Sequence, residues 1–160
     1  MAGEPPQKER VIVVYDCMLF FRAAARPDRG SRLFQLIDAR AVTLALSREI
    51  VVEIRDVLTR PEHLDKFPAL TQAAVDFFLD HLLSLARFYP LVPSHYHLER
   101  DPKDTKYINL AIEAAADWLV SWDKDLLELS NNESPTGRDF SSKYPQLRIG
   151  TGEDFLRHLD

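Results

Sequence analysis

The sequence predicts an α/β fold: a three-layer α/β/α sandwich around a central, mostly parallel sheet. Two short runs, "RVIVVY" at 10–15 and "AVTLAL" at 41–46, are apolar without alternation, the pattern of strands covered on both faces. Helical periodicity fills the chain between these and the later apolar runs, and strands alternating with helices imply parallel pairing. The length of 160 residues, 46% of them apolar and 28% charged, suits a single soluble domain with a substantial core.

Taken in order, residues 1–10, "MAGEPPQKER", are polar and hold Pro5 and Pro6; they read as a flexible tail ahead of a domain over 11–160. The first strand, Val11 to Tyr15, runs into Asp16 and a further apolar stretch, Cys17 to Phe21. "FFRAAARPDRGSR" reads as a loop and helix start, and "SRLFQLIDA" as a helix. After the second strand, Ser47 offers an N-cap to "REIVVEIRDVLTR", whose end Pro61 marks. From Ala69 to Phe88, apolar residues at three- and four-residue spacing predict one long helix. "YPLVP" is too short to assign. "DPKDTKYINLAIEAAA" predicts a helix with Asp101 as N-cap and Pro102 in its first position. "DWLVS" predicts a strand, "DKDLLEL" a short helix, "SNNESPTGRDFSSKYPQ" a polar connection, "LRI" a last strand and "GEDFLRHL" a closing helix.

The single cysteine, Cys17, excludes an internal disulfide, and no stretch reaches the roughly 18 apolar residues of a membrane span. With no signal-peptide pattern at the start, cytoplasm is the expected location and no membrane partner is expected. The net charge of −5 gives no global attraction to nucleic acid, so any basic patch must be local. Arg22, Arg26, Arg29 and Arg32 against Asp28 form one such patch, readable equally as a solvated surface.

In parallel α/β sheets, functional groups collect beyond the carboxyl ends of strands, and four carboxylates stand out on that rule. Asp16 ends the first strand, either as a cap or as a site residue. Glu53 falls roughly 40° outside the apolar arc of its helix, at its margin, where it is either solvated or able to reach the sheet rim. Asp104 lies on the inward face of its helix start, near Tyr107 and Ala111, and can close a capping box or face a partner. Asp123 sits between a strand and a helix, where capping and catalysis are compatible. Clustered carboxylates raise one another's pKa unless a cation neutralises them, and an all-oxygen ligand set selects Mg²⁺ or Mn²⁺ over zinc. Such a centre suits attack of water on a phosphodiester.

Over nearly its whole length, Val11 to about Leu159, the chain resembles the PIN-domain family, in particular the bacterial VapC-like toxins of toxin–antitoxin systems. The resemblance is carried by "VVYDCMLFFRAA", "LSREIVVEIRDVLTRP", "RDPKDTKYINLAIEAAADWLVSWDKDLLEL" and "EDFLRHL". It implies a PIN-like fold and a four-acid metal and catalytic site of Asp16, Glu53, Asp104 and Asp123, with Ser121 supporting the last acid by hydrogen bonding. It further implies Mg²⁺- or Mn²⁺-dependent endoribonuclease activity, RNA as substrate, a homodimer and a cognate antitoxin as partner. The family's polar residue two positions after the first acid is here Met18, a poor ligand for a hard cation. Arg22, Arg26, Lys106 and Lys124 are the expected RNA-binding rim.

Other features carry less. His95 and His97 lack a third zinc ligand, Cys17 lacks a nearby histidine to make it a nucleophile, and Trp118 and Trp122 read as core or dimer contacts. A haloacid-dehalogenase-type phosphotransferase would need an aspartate where Met18 stands. The main competing reading is a PIN-like module that only binds RNA or a partner; four costly carboxylates count against it.

Overall fold

The computed structural model describes residues 10–160, so the predicted tail lies outside it except for Arg10, which is exposed. Five strands, β1 (Val11–Tyr15), β2 (Val42–Ser47), β3 (Arg87–Tyr89), β4 (Trp118–Val120) and β5 (Arg148–Gly150), form one sheet in the order β3-β2-β1-β4-β5. Every pairing is parallel, which obliges the chain to cross over between strands. Val13, Val14 and Tyr15 are all buried. Because consecutive strand residues point to opposite faces, both faces of the sheet are covered, as the unalternating apolar run predicts.

The covering helices are α1 (Cys17–Ala25), α2 (Arg32–Asp38), α3 (Arg48–Leu58), α4 (Pro61–Lys66), α5 (Gln72–Leu85), α6 (Thr105–Glu113), α7 (Lys124–Leu127), α8 (Pro135–Lys143) and α9 (Gly152–Leu159). The Ser47 hydroxyl accepts the Ile50 N–H at 3.2 Å, so the predicted cap starts α3. Its Ile50, Ile54 and Leu58, spaced four apart, are fully buried. Tyr15 meets Phe34 of α2 and Phe155 of α9 edge-on, at centroid distances of 5.6 Å and 6.5 Å. Trp118 packs on Phe155 at 5.4 Å, which makes it a core residue.

Four elements differ from the sequence expectation. The long helix ends at Leu85, and Arg87–Tyr89 forms the edge strand β3; the apolar spacing runs on past the helix because Phe88 continues it by chance. α3 ends at Leu58, shortly before Pro61 as expected, but Pro61 also opens a helix the sequence did not announce, α4, in the first helical position where its missing N–H costs nothing. The connection after Ser130 contains α8, started by Ser134, whose hydroxyl accepts the Gly137 N–H at 3.0 Å. The loop expected within 20–32 begins inside α1, which extends to Ala25 and holds Arg22, with Arg26 and Arg29 beyond. Among the described residues, no helix is long and apolar enough to cross a membrane.

Register places the functional end of the sheet. Tyr15 pairs with Val120, so the next residues, Asp16 and Ser121, leave adjacent strands side by side. The strand order turns away from β1 in both directions, to β2 and β3 on one side and to β4 and β5 on the other. Asp16 and Asp123 therefore flank the switch point of the sheet, where such folds open a crevice.

Candidate active site

Asp16 is the N-cap of α1 and only 7% exposed. Its Oδ1 accepts the Met18 N–H at 3.0 Å, and its Oδ2 accepts the Ser121 hydroxyl. Burial pushes its pKa up, and those two donors oppose the rise. Capping and site geometry coincide in this residue. Ser121, fully buried, also accepts the Asp123 N–H at 2.9 Å. Its hydroxyl thus ties the carboxylate of Asp16 to the backbone of Asp123, where the resemblance implied support of the Asp123 side chain.

Asp123 caps α7, as expected: its Oδ1 accepts the Asp125 N–H at 2.8 Å and the Leu126 N–H at 3.4 Å. Asp104 closes a single 3₁₀ turn, Pro102–Asp104, that precedes α6, and it makes no side-chain cap. The capping box open to it is not formed. Asp101 makes no side-chain cap either, contrary to the role expected of it. Instead Asp101, Asp104 and Asp123 bring one carboxylate oxygen each within 4.8 Å of the others. Burial raises the Asp104 pKa to about 7, and the neighbouring charges of Asp101, Asp123 and Asp16 add to it. Capping logic concealed Asp101 in the sequence; the doubled "DPKD" carboxylate was the available signal.

Glu53 reaches the rim from the margin of α3, and both its oxygens have partners. Oε1 accepts the Tyr107 hydroxyl and Oε2 pairs with the Lys106 ammonium. The Lys106 side chain is only 11% exposed and also donates to the Lys103 carbonyl at 2.6 Å. Its charge is therefore spent on Glu53, not presented to a ligand. Of the other expected rim cations, Arg22 lines the cleft, Arg26 lies outside it in an adjoining groove, and Lys124 is exposed and lines neither.

All four predicted acids and Asp101 line one cleft of about 870 Å³. Met18 stands on its lip with 51% of its surface exposed. Its contribution to Asp16 is a backbone N–H that any residue but proline would supply, so the thioether removes no partner from that carboxylate. Cys17 is buried, and burial with the charges of Glu53 and Asp16 pushes its thiol up to about 12, which keeps it protonated and inert. His95 is held by Glu113 at 2.7 Å; among the described residues, the aspartate trio alone has metal-ligand spacing. An all-oxygen, half-buried set with mutual repulsion fits a hard divalent cation.

The family model described as the PIN domain matches residues 12–125. Among solved structures, the chain is similar to the crystal structure of PAE2754 from Pyrobaculum aerophilum. The TM-score is 0.52 at 18% identity, over 92% of this chain and 88% of that one, a likeness of fold. No curated protein matches the sequence.

Proposed function

This chain belongs to the PIN-domain family, and from that premise we propose that it is a metal-dependent endoribonuclease acting in the cleft of Asp16, Glu53, Asp104 and Asp123. The observation that carries the proposal is the approach of the Asp101, Asp104 and Asp123 carboxylates to within 4.8 Å of one another beside the switch point. In this reading Asp104 and Asp123 hold Mg²⁺ or Mn²⁺, with Asp101 as a further ligand. The bound ion supplies positive charge at the scissile phosphate and lowers the pKa of a water. Asp16, fixed by Ser121 and the Met18 N–H, adds negative potential and a rigid wall to the same centre. Glu53, oriented by Tyr107 and Lys106, lies where it can accept a proton from water entering the cleft. A role as the toxin of a toxin–antitoxin pair, acting as a homodimer restrained by an antitoxin, extends this reading on the sequence resemblance.

A second reading is favoured by one observation: both Glu53 oxygens are engaged by protein donors, which suits a module that binds RNA without cutting it. Cleavage of end-labelled RNA separates the two. Wild type is expected to cut with Mn²⁺ and not with EDTA, and Asp104→Asn to lose about 10²-fold or more of the rate. Titration of Mn²⁺ into Asp101→Asn is expected to show affinity reduced by about tenfold or more. Wild-type protein that binds Mn²⁺ without cutting would select the binding module, and wild-type protein that takes up no metal would refute the metal centre.

A further inference from the structure

Lys106 stands in the first turn of α6, where the positive end of a helix disfavours a cation. Its side chain is nevertheless largely buried and lines the acidic cleft. Three contacts hold its ammonium group there. It pairs with Glu53 Oε2, donates to the Lys103 carbonyl at 2.6 Å, and lies over the Tyr107 ring at 5.4 Å from the centroid. Glu53 is fixed from its other side as well. The buried Tyr107 hydroxyl donates to Oε1 and accepts the Cys17 N–H at 3.1 Å, which ties α3, α6 and the start of α1 to one carboxylate.

This arrangement bears on how many ions the cleft can take. The carboxylate oxygens of Asp101, Asp104 and Asp123 lie within 4.8 Å of one another, a spacing for one hard cation. Paired ions in hydrolytic centres stand ~3.5–4 Å apart and need further carboxylates between them. At the centre of this cleft the acids outside the trio are Asp16 and Glu53. Both oxygens of Asp16 already accept, from the Met18 N–H and the Ser121 hydroxyl. At Glu53 the place of an ion is taken by a positive charge in contact with Oε2, and a metal ion brought beside it would be repelled at close range.

We propose that Lys106 is the resident cation of the cleft: it holds the place beside Glu53 that a second metal ion would otherwise take, so the centre loads one divalent ion per chain. The inference rests on the metal-centre reading and assigns Glu53 its part in it. Glu53 is not a ligand; Lys106 is a positioning residue that keeps its carboxylate aimed into the cleft as a proton acceptor.

Metal uptake tests this without any turnover. The full chain is titrated with Mn²⁺ alone, and free ion is read by electron paramagnetic resonance. Wild type is expected to take up one ion, and Lys106→Arg, which keeps a cation beside Glu53, to do the same. Lys106→Met should take up two, the second more weakly. In Lys106→Met/Glu53→Gln the second ion should be lost again, and the first should bind within about threefold of wild type, whereas a lost ligand would cost about tenfold or more. Two ions on wild type, one ion on folded Lys106→Met, or loss of the first ion's affinity in the double variant would each overturn the inference. Should Lys106→Met fail to fold, the wild-type count and the charge-neutral double variant still decide. Wild type that cuts RNA with two ions bound refutes the role of Lys106 and keeps the ribonuclease reading. Wild type that binds one ion and never cuts does the reverse, and wild type that takes up none overturns both.

Discussion

Asp104 is the residue in which the conflict between fold and site is sharpest. Its carboxyl is held at a pKa of about 7, against 3.8 for the free side chain, chiefly by burial and then by Asp101 and Asp123. The folded protein thus binds this proton more tightly than the unfolded chain does. Stability from that proton is complete below about pH 4 and is lost as the pH rises through about 7. Asp104→Asn removes the loss. In metal-free solution the variant should be about 1–2 kcal/mol more stable than wild type at pH 8, after allowance for solvent screening of a half-exposed group. The two should converge near pH 4. Urea unfolding at the two pH values measures both; a variant that is less stable at pH 8 would show that Asp104 has a structural partner. Asp16 is a different case, since Ser121 and a backbone N–H offset part of the upward push of its burial.

Helix ends decided how much of the architecture could be read before the structure. Strands β1, β2 and β4 announce themselves by largely apolar runs, and α3 by its cap, Ser47. β3 is short, exposed and follows a helix of the same apolar spacing, so its residues carried no strand signal of their own. α8 is polar enough to pass for a loop; Ser134 followed by Pro135 was its only start signal. The same ambiguity decided the acids. Asp16, Asp104 and Asp123 stand at element ends, where position is legible from the sequence, whereas Asp101 was hidden by its resemblance to an ordinary cap. The end of α6 shows a local cost: the run of alanines continues in sequence, but Ala115 turns to φ 50° and the Ala116 N–H closes onto the Ala111 carbonyl at 2.8 Å. Only glycine enters that region without strain. Ala115→Gly should therefore raise stability by about 0.5–1 kcal/mol, read as a higher urea midpoint at unchanged m-value; a lower midpoint would contradict the argument.

At the scale of the molecule, the proposed metal centre would link metal, proton and fold through the same carboxylates. A divalent ion must displace the Asp104 proton, so its apparent affinity should fall about tenfold for each pH unit below 7. Thermal unfolding with saturating Mn²⁺ should show a larger upward shift at pH 7.5 than at pH 5.5; equal shifts at the two values would place the ion away from Asp104. The parallel topology carries a further consequence, for the order of events during synthesis. β1 can pair with β2 as soon as about the first fifty residues have emerged, but its other edge waits for β4, more than a hundred residues along the chain. Long separations of this kind close late. Asp16 meets Ser121, and Asp104 meets Asp123, only when that edge is filled. A nascent or truncated chain that stops before β4 lacks one edge of the sheet, and its acidic cluster is not yet assembled.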